Sequence, residues 1–121
     1  MGARDYKELL VWQKSMVLVK ELYRLVKLLP KEEIYSLSEQ MRRAAVSIPS
    51  NIAEGYDRKT DKELIHFLCV ARGSCAELET QILIANELDY IKTQDAEKTM
   101  ILCAEVRKML NSFIARVTAK L

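Results

Sequence analysis

From Val11 onward apolar residues recur every three or four positions, the spacing that aligns side chains along one face of an α-helix. Trp12, Met16, Val19, Tyr23 and Val26 form one stripe, and Val11, Leu18, Leu22, Leu25 and Leu29 form a second beside it. The pattern predicts a first helix from about Glu8 to Leu29. Pro30 closes it, because proline biases the preceding residue away from helical angles and has no N–H to donate. Lys27, in the last turn, suits the negative end of the helix dipole.

A second helix is expected from near Tyr35, with Leu37, Met41, Ala44, Ala45, Ile48 and Ile52 on its apolar face. Pro49 leaves two outcomes open: a break near Ile48, or a kinked helix eased by the hydroxyls of Ser47 or Ser50. Gly55, free to take a left-handed angle, is the natural terminator. The third helix is expected over Asp61 to Leu88, capped by Thr60 or Asp61. Leu64, Leu68, Ala71, Cys75, Leu78, Ile82 and Ala85 make its seam, and Ile65, Cys69, Ala76 and Leu83 mark another side. The fourth is expected from Thr93 or Asp95 to Lys120, with Leu102, Val106, Met109, Phe113 and Val117 inward. The short connection before it makes helices three and four antiparallel.

These elements predict an all-α chain, a single domain over residues 1–121 folded as an up-down-up-down antiparallel four-helix bundle. The surplus apolar stripes on helices one and three exceed what one small bundle buries, which points to a homo-oligomer. Composition narrows the alternatives. Only 3 Gly and 2 Pro occur in 121 residues, where ordinary usage would put the two together near about 12%, so folds with many reversals are excluded. Gly2, Gly55 and Gly73 are too scattered to cradle a phosphate. The start of the chain, Met1 to Tyr6, has no apolar signal core and no myristoylation pattern. No stretch is long and apolar enough for a membrane span. Cys69, Cys75 and Cys103 sit within helical patterns without a Cys-x-x-Cys pair, as expected of reduced thiols in the cytoplasm.

The net charge is only +2, but it is unevenly spread. Residues 1–29 and 92–121 each carry six Lys or Arg against three Asp or Glu, which leaves the middle of the chain four charges negative. If the terminal helices lie side by side, they share a basic face. Lys14, Lys20, Arg24 and Lys27 on the first and Arg107, Lys108 and Arg116 on the last are the expected contacts to RNA or DNA. Arg42, Arg43, Arg58 and Lys59 are further phosphate candidates.

Other chemistry is poorly represented. Glu63 and His66 have the Glu-x-x-His spacing of di-iron bundles, but such a centre needs two of these elements and the chain has one histidine. His66 and Cys69 lack the paired spacings of a zinc site. No catalytic, cofactor or metal residue is therefore assigned. Two stretches, Gln40 to Gly55 and Ala71 to Gln81, mix small and polar residues on inward-facing positions. Arg43, Asn51, Glu54, Arg72 and Glu77 are expected to pair across a close helix contact near Gly73, as a structural polar network.

The same stretches carry a resemblance. Leu10-Val-Trp-Gln-Lys-Ser15, Gln40 to Gly55, Tyr56-x-Arg58, Phe67 to Ser74 and Glu77 to Gln81 together resemble the four-helix-bundle proteins of the 23S rRNA intervening-sequence family, over about residues 5–91. The chain departs from that pattern at Ser36, at Cys75, and at Asp89, where glycine is usual. The resemblance implies a helix continuing through Pro49 and a ring-like homopentamer. It also implies kinship with the accessory variability protein of diversity-generating retroelements, a pentamer that binds nucleic acid alongside a reverse transcriptase. No enzymatic activity is implied. The expected partners are further copies of the chain, with RNA or DNA, or alternatively a protein held on a scaffold; no membrane is expected.

Overall fold

The computed structural model describes residues 5–121, and the expectations that concern Gly2 and Arg4 fall outside them. Four helices, α1 (Leu10–Val26), α2 (Leu37–Tyr56), α3 (Asp61–Glu87) and α4 (Thr93–Thr118), account for the architecture, with no strand among the described residues. Each helix packs against its neighbours in sequence and α4 packs back on α1, while the backbones of the diagonal pairs stay farther apart. The α2–α3 contact is the most extensive. The core draws on all four helices, with Leu18 and Leu22, Met41, Ile48 and Ile52, Leu68 and Leu78, and Val106 and Leu110 all fully buried.

On α1 the second apolar stripe enters the core throughout, while of the first only Val26 is buried and Trp12 and Val19 pack against the edge of the core. Val11, Leu18, Leu22, Leu25 and Leu29 are buried, whereas Met16 and Tyr23 of the first stripe remain about 40% exposed. The helix is shorter than its pattern. Its start shifts from Glu8 to Leu10 because Tyr6–Glu8 forms a separate 3-10 turn, capped by the Asp5 side chain accepting from the Lys7 N–H. It closes at Val26, and Leu28 and Leu29 follow in a tighter turn, each donating to the carbonyl three residues back.

Helix α2 begins at Leu37, two residues after Tyr35, which is left exposed. The Glu33 carboxylate sets this start by accepting from the Leu37 N–H. The helix runs through Pro49 without a break. An interior proline costs about 3 kcal/mol, but Ile48 and Ile52 on either side are completely buried. Each such side chain contributes about 1.5–3 kcal/mol by leaving water, so a break that swung Ile52 outward would forfeit about half or more of what it relieved.

Gly55 is not the terminator that its position suggested. It lies inside α2, which ends one residue later at Tyr56, and no described glycine has a positive φ. Its role is close approach: a Cβ there would stand 2.7 Å from the Phe67 Cβ and 3.3 Å from Leu64 Cδ1. Gly73, expected at a close contact, has nothing within 4 Å of the same point. The left-handed angle occurs instead at Asp89, with φ 62°. There the Tyr90 N–H donates to the Ala85 carbonyl and the Asp89 N–H to Asn86, a Schellman ending for α3. The third and fourth helices otherwise follow their patterns. Thr60 caps α3 by accepting from the Glu63 N–H, and at the start of α4 the Asp95 carboxylate accepts from the Lys92 N–H.

Candidate nucleic-acid interface

Helices α1 and α4 do lie side by side, yet their cations do not form one basic face. Much of the charge is spent between them. Lys14 of α1 pairs with Glu105 of α4 at 3.2 Å, and Lys98 of α4 pairs with Glu21 of α1 at 3.6 Å. Glu21 also takes Arg24, and its side chain is only 13% exposed. Arg107 turns the other way, to Glu79 on α3, a carboxylate only 14% exposed. Of the seven cations expected to contact nucleic acid, Lys14, Arg24 and Arg107 are thus already neutralised by protein carboxylates. The sequence hides two of these pairs, whose partners lie 91 and 28 positions away, whereas Glu21 is one helical turn from Arg24.

The remainder separate into two groups. Lys20 and Lys27, with the paired Arg24 between them, flank Val19 and Tyr23 around a shallow depression of about 350 Å³ on α1. Lys108 and Arg116 belong to a larger groove of about 800 Å³ at one end of the molecule. There the first residues of α1, the α2–α3 loop, the start of α3 and the last turns of α4 meet. Among the described residues, the cations of this groove are Arg58, Lys59, Lys108, Arg116 and Lys120, and its one carboxylate is Asp61. Its floor is apolar, with Leu64, Met109, Phe113 and Val117.

The five cations differ in how committed they are. Arg58 pairs with Glu54 at 2.7 Å and reaches Glu63 at 3.9 Å, and its guanidinium carbon lies 4.8 Å from the Phe67 ring centre. Arg116 sits 5.5 Å from the Phe113 ring centre. Among the described residues, no carboxylate lies within 4 Å of Lys59, Lys108, Arg116 or Lys120. The dipole of α4 explains cations in its last turn, but not Lys59, which belongs to another element, nor Lys108, ten residues before the helix ends. Next to the groove, Glu54, Asp57 and Glu63 line a neighbouring depression together with Arg58 and Lys59, so that Lys59 borders both surfaces.

The structural polar network does not assemble as expected. Arg43 is exposed, Glu54 is engaged with Arg58, Arg72 donates to Asn111 on α4, and Glu77 accepts from Gln81 one turn along its own helix. Only Asn51 sits at the α2–α3 contact, where it donates to the Ser47 carbonyl and hydroxyl. The link across the helices is the hydroxyl pair Ser47–Ser74 at 2.9 Å. Small neutral side chains suit this closest contact better than the long charged ones, which reach water instead.

The acid–base and metal candidates are accounted for separately. Glu63 belongs to the cap of α3, where its carboxylate accepts from the Thr60 hydroxyl, and His66 is exposed with its ring edge-on to Phe67. No group of three or more His, Cys, Asp or Glu among the described residues is arranged to hold a metal ion. Burial pushes the Cys75 thiol up to about 12, with Glu79 adding and Arg107 opposing. Cys103 is likewise pushed up to about 12, by burial and then by Cys75 and Glu79.

The family model described as 23S rRNA-intervening sequence protein matches residues 7–112. The chain belongs to that family. This match reaches well into α4, beyond the stretch that carried the resemblance, and stops just before Phe113, Arg116 and Lys120 of the groove. A solved structure from Bacteroides thetaiotaomicron, described as a protein with unknown function from the S23 ribosomal protein family, is similar throughout. It shares 25% sequence identity and a TM-score of 0.80, over 87% of this chain and 98% of its own. No curated protein matches the chain. No helix among the described residues of this 23S rRNA-intervening sequence family member is long and apolar enough to cross a membrane.

Proposed function

We propose that the chain is a non-catalytic, cytoplasmic nucleic-acid-binding protein that acts as a homo-oligomer. The observation that carries this reading is the end groove, where, among the described residues, five cations face one carboxylate and four of the five have no acidic partner. Lysine and arginine left unpaired around a concave surface raise the local concentration of polyanions and release their counterions on contact. The expected nucleic-acid contacts accordingly move from a face shared by α1 and α4 to Lys59, Lys108, Arg116 and Lys120.

The arrangement proposed is an up-down-up-down antiparallel bundle assembling as a ring-like pentamer, as the family resemblance implies. Exposed Met16 and Tyr23 on α1 and Leu83 on α3 support association through the outer stripes. Filter retention of structured RNA and DNA by the purified protein tests the binding. Affinity is expected to fall linearly with salt on logarithmic axes, by a slope of about 0.7–0.9 for each phosphate neutralised. Failure to retain either at low ionic strength would overturn the reading and favour a protein scaffold. Light scattering tests the assembly, and a monomer at micromolar concentration would rule it out.

A further inference from the structure

The end groove contains features that the side of a double helix would leave unused. Beside its cations it exposes an apolar floor, and Arg116 is held against the Phe113 ring. A duplex presents phosphates and base edges, while the flat faces of its bases are stacked out of reach. An unpaired strand offers both, base faces for apolar and guanidinium surfaces and phosphates for lysines. The volume, about 800 Å³, falls within the range of clefts that enclose small ligands, roughly 300–1,000 Å³. That suits extruded bases better than the flank of a duplex.

We infer that this groove takes an unpaired stretch of RNA or DNA, with bases laid on Arg116 and the apolar floor and phosphates on Lys59, Lys108 and Lys120. The inference rests on the nucleic-acid reading and narrows it to one class of substrate and one end of the molecule. The charge around the groove also sets the strand's course. In the neighbouring depression the carboxylates of Glu54, Asp57 and Glu63 outnumber Arg58 and Lys59, so the strand runs between Lys59 and α4 and does not continue past Lys59 into that depression.

Fluorescence anisotropy at low salt, with a labelled mixed-sequence single strand of about 20 nucleotides and the same strand annealed to its complement, tests this. That length exceeds the roughly 4–16 nucleotides that one single-strand-binding module covers. The single strand is expected to bind at least about tenfold more tightly. Loss of one stacking contact is worth about 1–3 kcal/mol, so Arg116→Ala and Phe113→Leu are expected to weaken the single strand about fivefold or more, with a smaller effect on the duplex. Lysine acetylation read by mass spectrometry gives an independent measurement on the unaltered protein: the single strand should protect Lys59, Lys108 and Lys120 but not Lys31 or Lys62. Equal or tighter binding of the duplex, or protection confined to other lysines, would overturn this inference while leaving nucleic-acid binding intact. No binding of either probe would overturn both.

Discussion

The Tyr90 hydroxyl donates to Glu33 Oε2 at 2.9 Å and so ties the α3–α4 turn to the turn before α2, 57 residues away. The same carboxylate accepts from the Ser36 hydroxyl and the Leu37 N–H. These bonds hold Glu33 below its ordinary value of 4.5, the Ser36 bond first and Tyr90 next, and they hold Tyr90 above its ordinary value of 10.0. A depressed carboxyl stabilises the fold above its unfolded value and loses that contribution as pH falls through the folded one. A raised phenol contributes below about pH 10 and loses its contribution as pH rises further. Tyr90→Phe is therefore expected to lower the melting temperature at pH 7. Melting curves should show the gap from the unaltered chain narrowing both below about pH 4.5 and above about pH 10. A gap constant across that range would contradict the assignment.

Gly55 and Gly73 should respond oppositely to alanine. Alanine gains about 1 kcal/mol over glycine inside a helix, and Gly73 has open space around it, so Gly73→Ala is expected to stabilise by about that amount. At Gly55 the new methyl meets the Phe67 Cβ, an atom fixed to its backbone, and must push α2 away from α3. Overpacking costs about 1–3 kcal/mol, which outweighs the helical gain. Urea denaturation of the two variants gives the signs directly.

Asp89→Gly is expected to stabilise the chain by about 1 kcal/mol. The left-handed angle of residue 89 strains any residue with a Cβ, and an acid at the end of α3 also opposes the helix dipole. Thermal denaturation checks this, and a destabilised variant would mean that the Asp89 side chain has a compensating role.

The three thiols should separate in an alkylation experiment. With Cys75 and Cys103 pushed up to about 12 and fully buried, the thiolate at pH 8 is about one part in ten thousand of each. Only the partly exposed Cys69 is expected to react with iodoacetamide in the folded protein. Mass spectrometry should find the other two modified only after denaturation.

The helices were legible from spacing because a period near 3.6 is imposed by the backbone itself. What spacing left open was which of two equal stripes on α1 faces inward, a choice made by α2 and α4 through burial of Leu18, Leu22 and Leu25. Position in the chain also misled for Gly55, whose value lies in its distance to Phe67 and not in its dihedral angle. The candidate site was least legible. Lys14 and Arg107 look like free cations until Glu105 and Glu79 arrive from other helices, and the groove exists only where four chain segments meet. Lys108 and Arg116 were identifiable as basic residues, but their company with Lys59 and Phe113 was not.

The four residues between α2 and α3 are fastened at both ends. Arg58 grips Glu54 behind it and reaches Glu63 ahead, Thr60 caps α3, and Gly55 lets Phe67 seat directly on the end of α2. Straightening this loop into a longer joined helix would keep the Arg58–Glu54 pair, four residues apart, but would remove the Thr60 cap and lift Phe67 from the end of α2. Exchange of helical hairpins between copies is thereby disfavoured at this hinge.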